Sequence, residues 1–180
     1  IVGRVDLLEQ VTVDDVRANQ LDLSGVLYNP DPEWHRPHRR IQARNDRPGD
    51  NLNARIVAEA IEAVQTRQRV KLAYPVTNRD RAIGATISGE IAARYGNLGL
   101  PEASIELQLE GSAGQSLGAF GARGLRIVLT GQANDYVAKG LGGAEIAIRP
   151  PSGAGYRTEE NVIAGNTVLY GATAGNLFIA

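Results

Sequence analysis

The chain contains no cysteine, which removes disulfides, thiolate catalysis and iron–sulfur ligation from this segment. It contains no methionine either, not even at the first position, and its last residues, "GNLFIA", stop inside an apolar run. Both ends therefore read as cuts in a longer polypeptide. Aromatic residues make up only 5%, so the core must be filled by aliphatic and small side chains. The net charge is −1, and no global field points to nucleic acid or to an anionic membrane. No stretch approaches the ~18 consecutive apolar residues of a membrane span. The opening "IVGRVDLLEQ" lacks the long apolar region of a signal peptide.

What is present is 43% hydrophobic residues and 21 glycines in 180 positions. That supports a real core in one structural domain, with many tight bends and a β-rich habit. Residues 1–50 read as an irregular arm, with weak helical periodicity in "VTVDDVRANQLDLSGVLYN" and breaks at Pro30, Pro32 and Pro37. Residues 51–103 read as a helix and strand lead-in. Asp50 is placed to cap a helix whose stripe is Leu52, Ile56, Val57, Ala60, Ile61 and Val64. "VKLAYPV" alternates as a strand. "ISGEIAARYG" has Ile87, Ile91 and Tyr95 on one helical face, Ser88 as N-cap and Gly96 as stop.

Beyond residue 104 the chain repeats. At an offset of about 20, a repeat-array period, Ile105 meets Leu125, Leu107 meets Ile127, and Leu109 meets Leu129. Gly111 then meets Gly131, and Leu117 meets Val137. A third copy of the turn, "AGNTV", ends at Val168. The intervening strand carries Ile146 and Ile148 and is followed by the insertion "RPPSGAGYRTEE". Such a unit cannot bury its apolar face alone and must stack on its neighbour. The expected fold is mainly β: residues 104–180 form a single-stranded parallel β-helix, a solenoid preceded by the arm and one or two α-helices. Its corners fall at Gly111, Gly114, Gly131, Asn134, Asp135, Gly140, Gly165, Asn166, Gly171 and Gly175, where φ > 0 is wanted.

The glycine-rich "GQANDYVAKGLGG", residues 131–143, could cradle a phosphate or make a corner. "GLGGAE" lacks the sixth-position Gly of a dinucleotide loop, and Lys139 is followed by Gly140 where a P-loop needs Ser or Thr. The corner reading is preferred. His35 and His38 with Glu33 are too few for a structural zinc site. Arg36, Arg39, Arg40, Arg44 and Arg47 have only Trp34 as an aromatic neighbour, which suits contact with an acidic neighbouring domain better than nucleic acid. Asn134, Asp135 and Lys139 form the most enzyme-like cluster, yet Asx residues at a turn more simply bond local backbone. Ser112, Ser116 and Thr167 have no histidine within the repeats, so a hydrolytic triad is unsupported. No catalytic, cofactor-binding or metal-ligating residue is assigned.

"GSAGQSLGAFGARG", "GQANDYVAKGLGGAEIAI" and "NVIAGNTVLYGATAGN" closely resemble the C-terminal GXGXG domain of the glutamate synthase large subunit. "GRVDLL" and "NRDRAIGATISGEIAARYG" match the same family in order. The resemblance implies a right-handed β-helix without catalytic residues. It would pack between a glutaminase domain and an FMN-binding synthase domain and help fix the path of ammonia between them. The parent enzyme would use FMN and an iron–sulfur cluster, in the cytoplasm or in a plastid-like compartment. The family usually has Gly where Ala138 stands, which weakens the case for φ > 0 there, and an aromatic where Leu117 stands. The resemblance extends to stand-alone relatives such as the corresponding subunit of N-methylglutamate synthase, the alternative reading.

Overall fold

The computed structural model describes residues 7–9, 11–20, 22, 24–37, 39–43, 51–151 and 153–180. They fall in two compact units, Ile1–Arg47 and Pro48–Ala180. The expectations placed on Asp50, His38, Arg44 and Arg47, and on residues 3–6 of "GRVDLL", lie outside the described residues.

The first unit is held by local polar bonds. Helix α1 (Val16–Asn19) is capped by Asp15, whose carboxylate accepts the Arg17 N–H at 2.8 Å. Helix α2 spans Ser24–Leu27. The Asp31 carboxylate accepts the N–H groups of His35 at 3.0 Å and Arg36 at 2.6 Å. The bond from Arg36 does most to hold the Asp31 carboxyl below its ordinary value. None of the unit's described residues is fully buried.

In the second unit, helix α3 (Leu52–Thr66) starts at Asn51, whose side chain accepts the Ala54 N–H at 3.0 Å. It buries Ile56, Ala60 and Val64. Strand β1 (Val70–Val76) turns Tyr74 and Val76 inward. Helix α4 (Ala85–Tyr95) begins at Gly84, a full turn before the expected Ser88 cap. Ser88 is instead buried inside the helix, where its hydroxyl accepts the Ala122 N–H at 3.1 Å.

Strands β2 (Ile105–Ala113), β3 (Leu125–Ala133), β4 (Gly142–Arg149) and β5 (Ala174–Ile179) follow. With β1 they form one five-stranded sheet, all parallel and in chain order. Inward residues stack across the ladder: Leu72, Leu107 and Ile127 pair in turn, and Ile127 faces Ile146. Ile105, Leu107, Leu109, Leu125, Ile127, Leu129, Ile146 and Ile148 are all buried in one cluster, with Leu117 and Val137 from the turns; Val168 is partly buried against it.

The expectation of a mainly β, single-stranded solenoid is corrected by this arrangement. The unit is a small α/β fold in which helices are part of the core. Ile56, Ala60 and Val64 of α3 and Ile87 and Ile91 of α4 lie in the same buried cluster as the strand residues. The period that suggested a solenoid belongs only to the middle of the sheet, where Ile105 faces Leu125 and Ile127 faces Ile146. The outer crossovers are much longer. Val70 faces Ile105 only after α4 has intervened, and Ile146 faces Leu177 only after the 149–160 insertion.

Candidate functional site

Parallel neighbours need a crossover connection, usually a helix. Between β2 and β3, and between β3 and β4, the chain instead crosses in tight double turns. In the first, Ser116, Gly118 and Phe120 have φ of 66, 68 and 56°; in the next, Tyr136, Ala138 and Gly140 have 64, 57 and 63°. A third turn before β5 repeats the pattern at Thr167, Leu169 and Gly171, with 56, 59 and 66°. Every second residue is left-handed. Six of the nine are not glycine, and each such residue costs about 1–2 kcal/mol.

Hydrogen bonds between layers hold these conformations. Ser116 N–H donates to the Asp135 carbonyl at 2.8 Å and Tyr136 N–H to the Asn166 carbonyl at 2.9 Å. Gly118, Ala138 and Leu169 donate the opposite way, to the carbonyls of Ile83, Leu117 and Val137 at 2.9, 2.8 and 2.9 Å. Phe120 N–H donates to the Lys139 carbonyl at 2.7 Å and Gly140 N–H to the Tyr170 carbonyl at 2.8 Å. An uppermost layer, which the repeat comparison missed, is Ala82 and Gly84, with φ of 49 and 93°. Its trace was present in sequence: "AIGA", residues 82–85, parallels "SLGA", residues 116–119.

The positions expected at corners divide into two kinds. Gly111, Gly131, Gly140, Gly171 and Gly175 have positive φ, and of these Gly111, Gly131 and Gly175 lie within strands β2, β3 and β5, whereas Gly114, Asn134, Asp135, Gly165 and Asn166 do not have positive φ. The left-handed residue falls one position after the Asx side chains, at Tyr136 and Thr167. Ala138 is left-handed and fully buried, so the corner takes φ > 0 there without glycine. Gly114 and Gly165 are needed for close approach. A Cβ on Gly114 would lie 2.5 Å from the Asn78 carbonyl oxygen, and one on Gly165 would lie 2.7 Å from the Asp135 nitrogen and against its carboxylate. Asp135 Oδ1 accepts the Asn166 N–H at 2.8 Å.

The 131–143 stretch is occupied with this same bonding. The amides of Ala133, Asn134, Tyr136, Ala138, Lys139, Gly140, Leu141 and Gly142 all donate to backbone carbonyls. A phosphate cradle needs free amides converging on one point, and these do not converge. The Lys139 ammonium lies 5.5 Å from the Tyr136 ring centroid.

A groove of ≈ 690 Å³ opens at the carboxyl ends of β1, β2 and β3, the usual ligand edge of parallel sheets. Thr77, Asn78, Ser112, Gln132 and Asn134 line it, and no lining residue is charged. Gln132 Nε2 donates to Ser112 Oγ at 3.1 Å. It therefore offers hydrogen bonds but no acid, base or activated nucleophile.

The outward face of the sheet carries a row of alternating charge. Lys71 Nζ is 2.9 Å from Glu106 Oε1, Arg126 is 3.4 Å from Glu106 Oε2, and Arg126 Nε is 2.7 Å from Glu145 Oε1. These residues sit at one register position of four successive strands. The Lys71 hydrogen bond, assisted by Gln108, holds the Glu106 carboxyl below its ordinary value. Glu145 holds the Arg126 guanidinium above its own. Near the helix side, burial pushes the Tyr74 hydroxyl up to about 12, and its 2.9 Å bond to Glu59 adds to this. Arg55 bonds Glu59 at 2.8 Å and lies over the Tyr74 ring. These are ties between elements.

In the first unit, His35 lies 3.4 Å from Asp31 and 3.3 Å from Glu33. Among the described residues no group of three or more His, Asp or Glu is arranged to hold a metal ion. Ser112, Ser116 and Thr167 stand in the stacked layers, and neither histidine belongs to their unit. With no cysteine in the chain, its residues do not fit an iron–sulfur cluster. The engaged turn amides do not fit a flavin phosphate either.

Stacked glycine-bearing turns between parallel strands are the feature that defines this class of domain. Residues 51–180 match the family described as GXGXG motif, and the chain belongs to that family. It is 44% identical over 180 residues to the NADPH glutamate synthase large chain of Azospirillum brasilense, covering 100% of this chain and 12% of that one. It is 37% identical over 183 residues to the large chain of the NADPH enzyme of Bacillus subtilis, covering 99% of this chain and 12% of the relative. The chloroplastic ferredoxin-dependent glutamate synthase of Spinacia oleracea is 37% identical over 182 residues, with 99% and 11% covered. The chain thus spans about an eighth or less of each relative's length.

Proposed function

We propose that this chain is a non-catalytic structural part of a glutamate synthase large chain. It holds the glutaminase and FMN-binding synthase domains in register, so that ammonia released at one reaches the other during glutamate formation. The observation that carries this reading is the bonding of the turns. Their amides join one layer to the next, alternately up and down, over a core without a described buried charge. A body bonded this way transmits position without bending. FMN and the iron–sulfur cluster belong to other parts of the parent enzyme in this reading. We place that enzyme in the cytoplasm, or in a plastid as for the spinach relative. No helix among the described residues is long and apolar enough to cross a membrane.

The test has two arms. The 180-residue chain alone should neither hydrolyse glutamine nor retain flavin; measurable turnover or stoichiometric yellow colour overturns the proposal. In the parent large chain, Leu129→Asp buries an unpaired carboxylate among Ile127, Ile148 and their neighbours, a substitution that unfolds the sheet. More glutamine should then be hydrolysed per glutamate formed. An unchanged ratio in a chain whose GXGXG region has melted would sink the scaffold reading.

A further inference from the structure

The double turns expose side chains that the turns themselves do not need. Phe120 and Tyr136 are bulky, left-handed and 62% and 38% exposed, although glycine would relieve the backbone at both positions. An observed outlier of this kind points towards use of the side chain. The Phe120 ring covers Gly140, where a Cβ would come within 2.7 Å of it. Gly140 in turn bonds the carbonyl of Tyr170, which is 63% exposed. The Lys139 carbonyl accepts the Phe120 N–H, its ammonium lies 5.5 Å from the Tyr136 ring centroid, and it makes no ion pair among the described residues. Three exposed rings from three successive layers and one cation thus belong to adjoining turn positions, linked through the Phe120–Gly140, Gly140–Tyr170, Phe120–Lys139 and Lys139–Tyr136 contacts.

We propose that Phe120, Tyr136, Lys139 and Tyr170 form a docking surface for another domain of the same large chain, one presenting an apolar patch with a carboxylate opposite Lys139. This rests on the scaffold reading and deepens it by assigning the contact. A protein occupant is favoured because aromatic anchors round a lone cation suit an apolar surface with an acidic partner. The chain spans 12% of the relatives it matches, so in proteins of that kind most of the polypeptide lies outside the segment. Nucleic acid would want several cations beside the rings.

The test uses Phe120→Gly, Tyr170→Ser and Lys139→Glu in the 180-residue chain and in the large chain. In the 180-residue chain, Phe120→Gly relieves a left-handed turn and should leave the melting temperature unchanged or higher. In the large chain, Phe120→Gly with Tyr170→Ser should speed proteolytic release of the segment by about tenfold or more, since truncating interface anchors weakens binding by such factors. Lys139→Glu should act in the same direction, with Lys139→Arg close to the parent. Unchanged proteolysis in the doubly substituted large chain overturns the docking surface. So does a fall in the melting temperature of the 180-residue Phe120→Gly chain, which would make the ring's role internal. If deleting residues 51–180 uncouples glutamine hydrolysis from glutamate formation while these substitutions do not, the surface is wrong and the scaffold stands. If the deletion leaves coupling intact, the scaffold reading fails.

Discussion

At the scale of single residues, glycine in this chain has two physical roles that one letter cannot distinguish. Gly165 has an ordinary φ, yet the Asp135 carboxylate and amide stand where its Cβ would be. Gly165→Ala should therefore displace Asp135 from its bond to Asn166 and cost about 1–3 kcal/mol through overpacking. In thermal melts that is a fall of roughly 2–10 °C; an unshifted melt would mean the layers are looser than drawn. Gly118→Ala should be worse, because the added methyl meets the Ile146 side chain in the core and the φ of 68° is unfavourable as well. Ala138 shows why the φ pattern was only half legible. It occupies the same column as Gly118, left-handed and fully buried, and its methyl finds room where that of Gly118 would not. Glycine in a sequence marks permission for φ > 0, while the positions that take it are set by bonds to the next layer. Ser116, Tyr136 and Thr167 carry no such mark.

At the scale of elements, alternation was the strongest signal. Strand β1 was readable from Val70, Leu72, Tyr74 and Val76, and β2 and β3 from aliphatics at equal offset. Cap positions were less readable, since Gly84 holds the place that Ser88 was expected to hold. The outward charge row was invisible until register was known, because its members lie far apart in the chain and meet only across strands. Glu106 is its centre, with its side chain 17% exposed between Lys71 and Arg126. Its folded-state value lies below the ordinary one, so its stabilisation is present above the unfolded value and is lost as pH falls through the folded value. Glu106→Gln should lower stability at neutral pH by about 1 kcal/mol or less, a shift of roughly 2–4 °C. The gap from the parent chain should close on acidification below the ordinary carboxylate range. A gap that stays constant from neutral to acid pH would show that packing, and not charge, was changed.

At the scale of the whole second unit, sequence periodicity led to the wrong architecture for a definite reason. The period of about 20 is real between β2 and β3, but it describes a strand and its turn and is silent about what else enters the core. The helix patterns in residues 52–66 and 85–95 were legible as helices; their share in the core was not, because an apolar stripe does not name the surface it covers. The consequence is testable. Ile91 of α4 is fully buried in the cluster that also holds Ile105, Ile127 and Ile146. If helices and sheet share one core, Ile91→Ala should cost about 2–5 kcal/mol. The whole cooperative transition would then move down by roughly 5–15 °C. Amide exchange in β3 and β4 should accelerate together with exchange in α4, since both report the same global opening. A helix merely resting on a self-sufficient stack would behave otherwise. Exchange would then rise in residues 85–95 alone, and the amides of Ile127 and Ile146 would keep the protection they have in the parent chain.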